Sequence, residues 1–252
     1  MNRVTRISAI IKQFMHHIID TVLPPRCPVT GEIVSENGVL SPAAWKDLDF
    51  ISDPLCSLCG YPMTVSSGET NQLCGACIQN PPYFDRARAP VAYNPISREI
   101  ALKFKHGDQL HVVKTIAAMM RRSLMEVVTP CSIIIPVPLH PRRLLARRYN
   151  QAALIAGNLS ALSDLPMVPD FLLRRKSTPP QKDKSFRLRK ENVRAAFCVN
   201  PAYVQNASRK DFILIDDVYT TGATVNECAR VLKKADARSV FVLTFARTVR
   251  FS

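Results

Sequence analysis

The chain has 252 residues, 34 Lys and Arg against 20 Asp and Glu for a formal charge of +14, 47% apolar residues, 8 glycines and 8 cysteines. That length suffices for a medium domain with a small one attached; scarce glycine excludes a collagen-like chain, and no apolar run of about 18 residues is present to form a membrane span. Residues 1–90 carry 7 basic and 8 acidic side chains whereas 142–194 alone carry 13 and 4, so a positive field suited to phosphates, pyrophosphate or nucleic acid is expected in the later part.

Residues 1–23 read as an amphipathic helix, with Ile7, Ile10, Ile11, Phe14, Ile18 and Val22 on one stripe. Lys12, His16, His17 and Asp20 interrupt the stripe and no small-residue cleavage site follows, which argues against a signal peptide and for a cytoplasmic chain. Arg3, Arg6 and Lys12 flank it as they would in an interfacial helix, but docking on the rest of the protein is the default, and membrane contact through residues 1–22 is not expected.

Residues 24–85 form the cysteine-rich region. In a reducing compartment these cysteines are not a disulfide framework. Cys56-Ser-Leu-Cys59 and Cys74-Gly-Ala-Cys77 are two CxxC pairs separated by 14 residues, a spacing that closes a tetrahedral four-cysteine site for a structural Zn²⁺. A fainter copy precedes it. Cys27-Pro-Val-Thr30 and Ser41-Pro-Ala-Ala44 repeat the layout with one cysteine left, too few for a metal, so packing by Trp45, Leu48 and Phe50 is expected in its place; Cys27 stays a ligand candidate should one of the four not serve. Cys131, Cys198 and Cys228 read as core residues.

Residues 86–252 read as α/β. Strands are expected at 88–93, 132–137, 171–173, 212–215 and 239–245, and helices at 96–105, 109–128, 151–162 and 225–234. The basic stretch 174–192 reads as a long functional loop.

The most specific string is Phe212-Ile-Leu-Ile-Asp216-Asp217-Val-Tyr-Thr220-Thr221-Gly222-Ala223-Thr224. A strand delivers two carboxylates at its C-terminal end, and a small-residue loop then opens a helix whose N-terminus can cradle a phosphate. The rival reading, the carboxylate strand of a P-loop ATPase, requires GxxxxGK[ST]; no glycine here is followed by Lys, so it fails.

This string resembles the phosphoribosyl pyrophosphate (PRPP) loop of type I phosphoribosyltransferases, and its combination with a cysteine ribbon resembles the ComF family, associated with DNA uptake in natural competence. Further family-like features are Pro81-Pro-Tyr-Phe-Asp85, Pro136-Val-Pro-Leu-His140-Pro-Arg-Arg143, Tyr149-Asn150-Gln151 and Arg189-Lys-Glu-Asn192. Two departures stand out: Arg147-Arg148 replaces an Arg-Gly, and Ser41 to Trp45 stands where relatives carry Cys-x-x-Cys-Trp. The resemblance implies a type I phosphoribosyltransferase fold, a mostly parallel sheet flanked by helices, behind a small N-terminal zinc ribbon. Asp216 and Asp217 would take the ribose hydroxyls with Mg²⁺ nearby, and Thr220, Thr221, Gly222, Ala223 and Thr224 the 5′-phosphate. Arg142, Arg143 and Arg147 would clamp pyrophosphate, and the 174–192 segment with Arg189 would close over it. Two functions follow: a phosphoribosyltransferase using Mg·PRPP in DNA uptake or nucleoside metabolism, or a non-catalytic single-stranded-DNA-binding partner of the uptake machinery that keeps the pocket for sensing.

Overall fold

In this computed structural model the described residues are 23–64, 71–105, 110–147, 149–176, 193, 195–206 and 208–249. The expected N-terminal helix, Arg189 and most of the expected closing loop therefore lie outside the described residues.

The frame is a parallel sheet in the order β1-β7-β6-β3: β1 (Arg86–Arg88), β3 (Ser132–Pro136), β6 (Asp211–Tyr219) and β7 (Ser239–Arg247), with β2 (Val91–Ala92) also on β7. Parallel strands need helical crossovers on both faces, so the central strands are apolar on both sides. Along β6, Ile213 and Ile215 enter one core together with Leu243 and Phe245 of β7. Phe212 and Leu214 enter the other with Val240 and Val242.

The first face is covered by α3 (Pro95–Lys105), α4 (Val112–Met125) and α6 (Gln151–Ser163). In α4 the residues Val112, Val113, Ile116, Ala117, Met120 and Leu124 fall on one helical stripe, and all are buried. Asn150 caps α6 by accepting from Ala152 N at 3.1 Å. The second face is covered by α7 (Ala223–Lys234) and by an antiparallel pair, β4 (Leu172–Arg174) with β5 (Phe197–Val199). A 3₁₀ turn at Pro201–Asn206 follows β5. No helix among the described residues is long and apolar enough to cross a membrane.

The two halves of the cysteine-rich region grip opposite faces of this sheet. Cys27, Leu40, Ala44 and Leu48 belong to the core under α3, α4 and α6, and Cys56, Cys59 and Cys77 to the core under α7. Between them the chain runs beside β2, where Ile51 N donates to Pro90 O at 2.9 Å and Ala92 N to Asp49 O at 2.8 Å.

Several expectations change. The 141–147 stretch, read as loop, is a helix, α5 (Pro141–Arg147), and β5 was not anticipated. Both β6 and β7 run past their expected ends, to Tyr219 and Arg247, because each supplies the other's hydrogen bonds beyond the apolar run. Of the three cysteines assigned to the core only Cys228 is buried. Cys131 is exposed, since it sits in the turn from Thr129 into β3, and Cys198 is half-buried on the outer side of a two-stranded ribbon.

At the N-terminal end of β6, Asp211 is 1% exposed and accepts from Arg238 Nε at 2.8 Å, from Arg238 Nη2, and from Thr129 Oγ1 at 2.5 Å. The Arg238 guanidinium, against the opposing effect of burial and with help from Thr129, holds its carboxyl down at about 2. A depressed folded-state pKa stabilises the fold above the ordinary carboxyl pKa, and that contribution is lost as pH falls toward 2. Asp211→Asn should therefore lower the unfolding free energy at pH 7 by about 2 kcal/mol. In urea titrations across pH the gap to wild type should close between about pH 4 and pH 2; a gap constant with pH would refute this account.

Candidate metal and anion sites

Cys56 and Cys59 lie on a tight knuckle, and Cys74 caps α2 (Gly75–Gln79), whose first turn carries Cys77. Their four Sγ atoms lie within 4.8 Å of one another. Zn–S bonds of about 2.3 Å in a tetrahedron separate sulfurs by about 3.8 Å, and Cys59 Sγ and Cys74 Sγ are 3.6 Å apart. Backbone hydrogen bonds shape the turn of the knuckle: Gly60 N donates to Cys56 O at 2.9 Å and Cys56 N to Tyr61 O at 2.8 Å. Gly60 adopts φ +67°, and a Cβ there would meet Ala87 O at 2.5 Å, so only glycine fits between knuckle and β1.

The thiols differ in how readily they ionise without a cation. Burial raises Cys56, but backbone donors from Cys74, Cys59 and Leu58 outweigh it and bring the group down to about 7. Burial pushes Cys59 up to about 11, although Arg247 opposes the shift, and it drives Cys77 higher still. Four thiolates this close, three of them buried and Cys74 half-buried, repel one another, and a divalent cation is what permits all four. With no open position the site is a structural zinc site.

The first half of the region is the same ribbon without the metal. Cys27 N donates to Glu32 O at 2.7 Å, Gly31 N to Cys27 O at 3.0 Å and Val34 N to Pro25 O at 2.9 Å, bond for bond the pattern at Cys56, Gly60 and Met63. Ser41 caps α1 (Pro42–Lys46) as Cys74 caps α2. Thr30 and Ser41 thus stand in place of Cys59 and Cys74, and their hydroxyls meet at 2.9 Å where the sulfurs meet in the second ribbon. Ala44, fully buried, replaces Cys77. Cys27 accepts from Thr30 N at 3.5 Å and is not part of the four-sulfur group. Trp45 and Phe50 stack with centroids 5.6 Å apart, as exposed packing on this ribbon.

The second site lies at the C-terminal ends of β3 and β6. Strand alternation sends Asp216 toward the α7 face and Asp217 toward the other. Each also turns back on the chain: Asp216 Oδ1 accepts from Asp217 N at 2.9 Å, and Asp217 Oδ1 from Val218 N at 2.7 Å. Thr220 and Thr221 then lead to Gly222, which has φ +72° and caps α7 with no side-chain hydrogen bond. A Cβ at Gly222 would lie 2.3 Å from Tyr219 Oη, so the loop folds tightly over that ring and requires glycine. Ala223 and Thr224 begin the helix. Only Ala223 N has a nearby side-chain acceptor, Thr221 Oγ1 at 3.4 Å. The positive end of a 12-residue helix therefore opens on the loop with no acidic residue in its first turn.

Cations face this end of the sheet. Burial lowers the pKa of the Arg174 guanidinium, and Arg143 lowers it further, while Cys228 and Asp216 act in the opposite sense. Burial and then Arg147 lower Arg143. Arg174 is thus in electrostatic reach of Arg143 and Asp216, and Arg143 of Arg147. Arg142 and Arg147 are exposed on α5, and Arg143 is half-buried there. Tyr149 Oη donates to Phe104 O at 2.6 Å and Asn150 Nδ2 to Val137 O at 3.0 Å, so a tyrosine anchor and the Asn150 side chain hold the segment that enters α6. Arg174 was not among the expected clamps. Its guanidinium stacks 5.3 Å from the Phe197 ring centroid, on a strand that the sequence pattern did not reveal.

Comparisons with known proteins bear on the ribbon and on the family of the whole chain. A model of the double zinc ribbon domain matches residues 18–78. Competence protein F of Haemophilus influenzae is 30% identical over 220 residues, 85% of this chain and 92% of that protein. The chain belongs to the ComF family. Competence protein ComFC of Bacillus subtilis is 29% identical over 206 residues, 79% of this chain and 80% of that protein. DNA utilization protein YhgH of Escherichia coli K12 is 29% identical over 200 residues, 77% of this chain and 85% of that one. Among solved structures, the glutamine PRPP amidotransferase of B. subtilis aligns with a TM-score of 0.38 at 14% identity over 57% of this chain, which spans 30% of that enzyme; the score carries no functional weight. The ComF relationship and the sheet described above place the α/β part in the type I phosphoribosyltransferase fold class.

Although the matching domain is a double ribbon, metal analysis should find one zinc per chain, and Cys74→Ser should abolish it while Cys27→Ser leaves it intact. Two equivalents in the wild type would contradict the assignment of Thr30, Ser41 and Ala44.

Proposed function

We propose that this ComF-family chain binds Mg·PRPP at the loop between β6 and α7 and transfers its phosphoribosyl group. The observation that carries the reading is the uncapped N-terminus of α7 behind Thr220–Thr224, joined directly to a strand that ends in Asp216 and Asp217 and faced by Arg143 and Arg174.

The chemistry follows from charge. Leaving of pyrophosphate from C1 of the ribose develops positive charge on the ring and negative charge on the leaving group, so the reaction needs fixed charges rather than a protein nucleophile. Backbone N–H groups at the start of α7 and the hydroxyls of Thr220, Thr221 and Thr224 hold the 5′-phosphate. Asp216 and Asp217 orient the ribose hydroxyls and favour the cationic ring. Arg143 and Arg174, in electrostatic reach of one another, supply planar guanidiniums suited to a pyrophosphate. Mg²⁺, bound through phosphate oxygens and water, would neutralise charge on the pyrophosphate. The residues present fit it, because Asp216 and Asp217 supply hard oxygen donors at the mouth of the site. A cytoplasmic location suits the reduced zinc thiolates.

A second reading rests on the exposed Arg142 and Arg147 of α5 beside the same site: contact with a single-stranded DNA backbone, in keeping with the competence and DNA-utilization names of the relatives.

Calorimetry with PRPP and Mg²⁺ should show saturable binding that Asp216→Asn/Asp217→Asn weakens at least about tenfold, the loss of charge-assisted hydrogen bonds. Absence of heat with wild-type, zinc-loaded protein would refute the first reading. Filter binding of single-stranded DNA across salt should give a negative slope of log K, and a flat profile would refute the second.

A further inference from the structure

The zinc ribbon and the phosphate loop meet at one side chain. Arg247 ends β7, is 4% exposed, and donates through Nη1 to the carbonyl of Cys59. Its guanidinium carbon lies 5.2 Å from the ring centroid of Tyr61 and 5.0 Å from that of Tyr219. The buried Nε meets no hydrogen-bond acceptor among the described residues. The knuckle carbonyl and two aromatic faces, together with the attraction of the Cys59 sulfur, offset the burial of this cation.

Each contact leads to a different site. Cys59 and Tyr61 belong to the zinc knuckle. Tyr219 is the floor of the phosphate loop, since its Oη and Cζ would lie 2.3 and 2.5 Å from a Cβ at Gly222. The next residue, Thr248, completes the grip: its N–H donates to Tyr219 O at 2.9 Å and its hydroxyl to Thr220 O at 2.9 Å.

We propose that Arg247 is a positioning residue that couples the zinc ribbon to the phosphate loop, so that zinc and a phosphoribosyl ligand strengthen each other's binding. The inference rests on the Mg·PRPP reading above. Zinc fixes Cys59 and hence its carbonyl; the carbonyl holds the guanidinium between the rings; the guanidinium keeps Tyr219 against Gly222. If the metal is lost, the knuckle carbonyl is no longer held, and a cation already short of one acceptor has no replacement. Binding free energies are linked reciprocally, so the ligand must favour zinc retention by the factor with which zinc favours the ligand.

The test is an equilibrium competition for zinc between the full chain and a chromogenic chelator, with and without saturating Mg·PRPP. Free zinc is buffered so that the affinity of PRPP for the metal is accounted for. In the wild type Mg·PRPP should raise zinc affinity about tenfold, an ordinary coupling. Arg247→Met should keep one zinc and its melting transition, but the effect of PRPP should fall below about twofold. Arg247→Lys should lose most of it too, because an ammonium cannot span the carbonyl and the ring as the planar fork does. Tyr219→Leu cuts the same path beyond Arg247 and replaces the Met variant if that one fails to fold. A tenfold effect that persists in the variants would overturn the coupling. PRPP binding to the wild type with no effect on zinc would overturn this inference alone. No PRPP binding to zinc-loaded wild type would overturn the Mg·PRPP reading and this inference with it.

Discussion

Everything placed at the site depends on the parallel pairing of β6 with β7. The two strands are in register from Asp211 opposite Ser239 to Tyr219 opposite Arg247. Because both are buried on both faces through their apolar runs, a slip of one residue would exchange the two cores, sending Phe212 and Leu214 to the wrong helices. The same register sets which face Asp216 and Asp217 take, and it brings Tyr219 beside Arg247. Asp211 locks it at the far end, where its bond to Arg238 joins the first residue of β6 to the residue before β7.

The sheet edge formed by β1 and β2 is closed by the two ribbons, and they illustrate two ways of holding one backbone pattern. The second ribbon has few apolar side chains of its own and draws its order from the metal. The first has dispensed with metal because its surroundings order it. Leu40, Ala44 and Leu48 are buried under α4 and its neighbours, Thr115 Oγ1 donates to Gly38 O at 2.7 Å, and Lys103 Nζ donates to Pro28 O. A hydroxyl pair, Thr30 with Ser41, then suffices at the centre. Once tertiary packing fixes both knuckles, the cysteines there are no longer required for folding, which accounts for their replacement.

What was legible in the sequence is what depends on nearby residues. The CxxC spacing, the apolar stripe of α4, the strand over Phe212–Ile215 and the small-residue turn that opens α7 are each set within a few positions, and each is formed where expected. The degenerate ribbon was legible too, through its spacing alone. The rest depends on distant partners. Arg247 and Cys59 are 188 residues apart, and nothing about an arginine after an apolar strand identifies the carbonyl it meets. Cys131 and Cys198 look apolar in one dimension but lie in a turn and on an outer strand face. β5, three residues long, is defined only by its pairing with β4. The α5 helix begins at Pro141, whose preceding segment suggested an extended loop, and its first turn is favoured by that proline.

The distribution of positive charge gains a physical meaning from this arrangement. A net charge of +14 by itself implies only attraction to anions. The fold sorts the cations by what each already has. Arg238 is matched by Asp211, Arg230 by Glu227 at 2.6 Å, and Arg247 by a carbonyl and two rings. Arg174 stacks on the Phe197 ring with Arg143 and Asp216 in electrostatic reach, and the N-terminal end of α7 adds further positive potential. Positive charge gathered at this end of the sheet favours an anion there, which is what the proposed reading requires. Under that reading a single phosphate would engage only the helix end, whereas a ligand carrying phosphate and pyrophosphate on one ribose would engage the arginines as well.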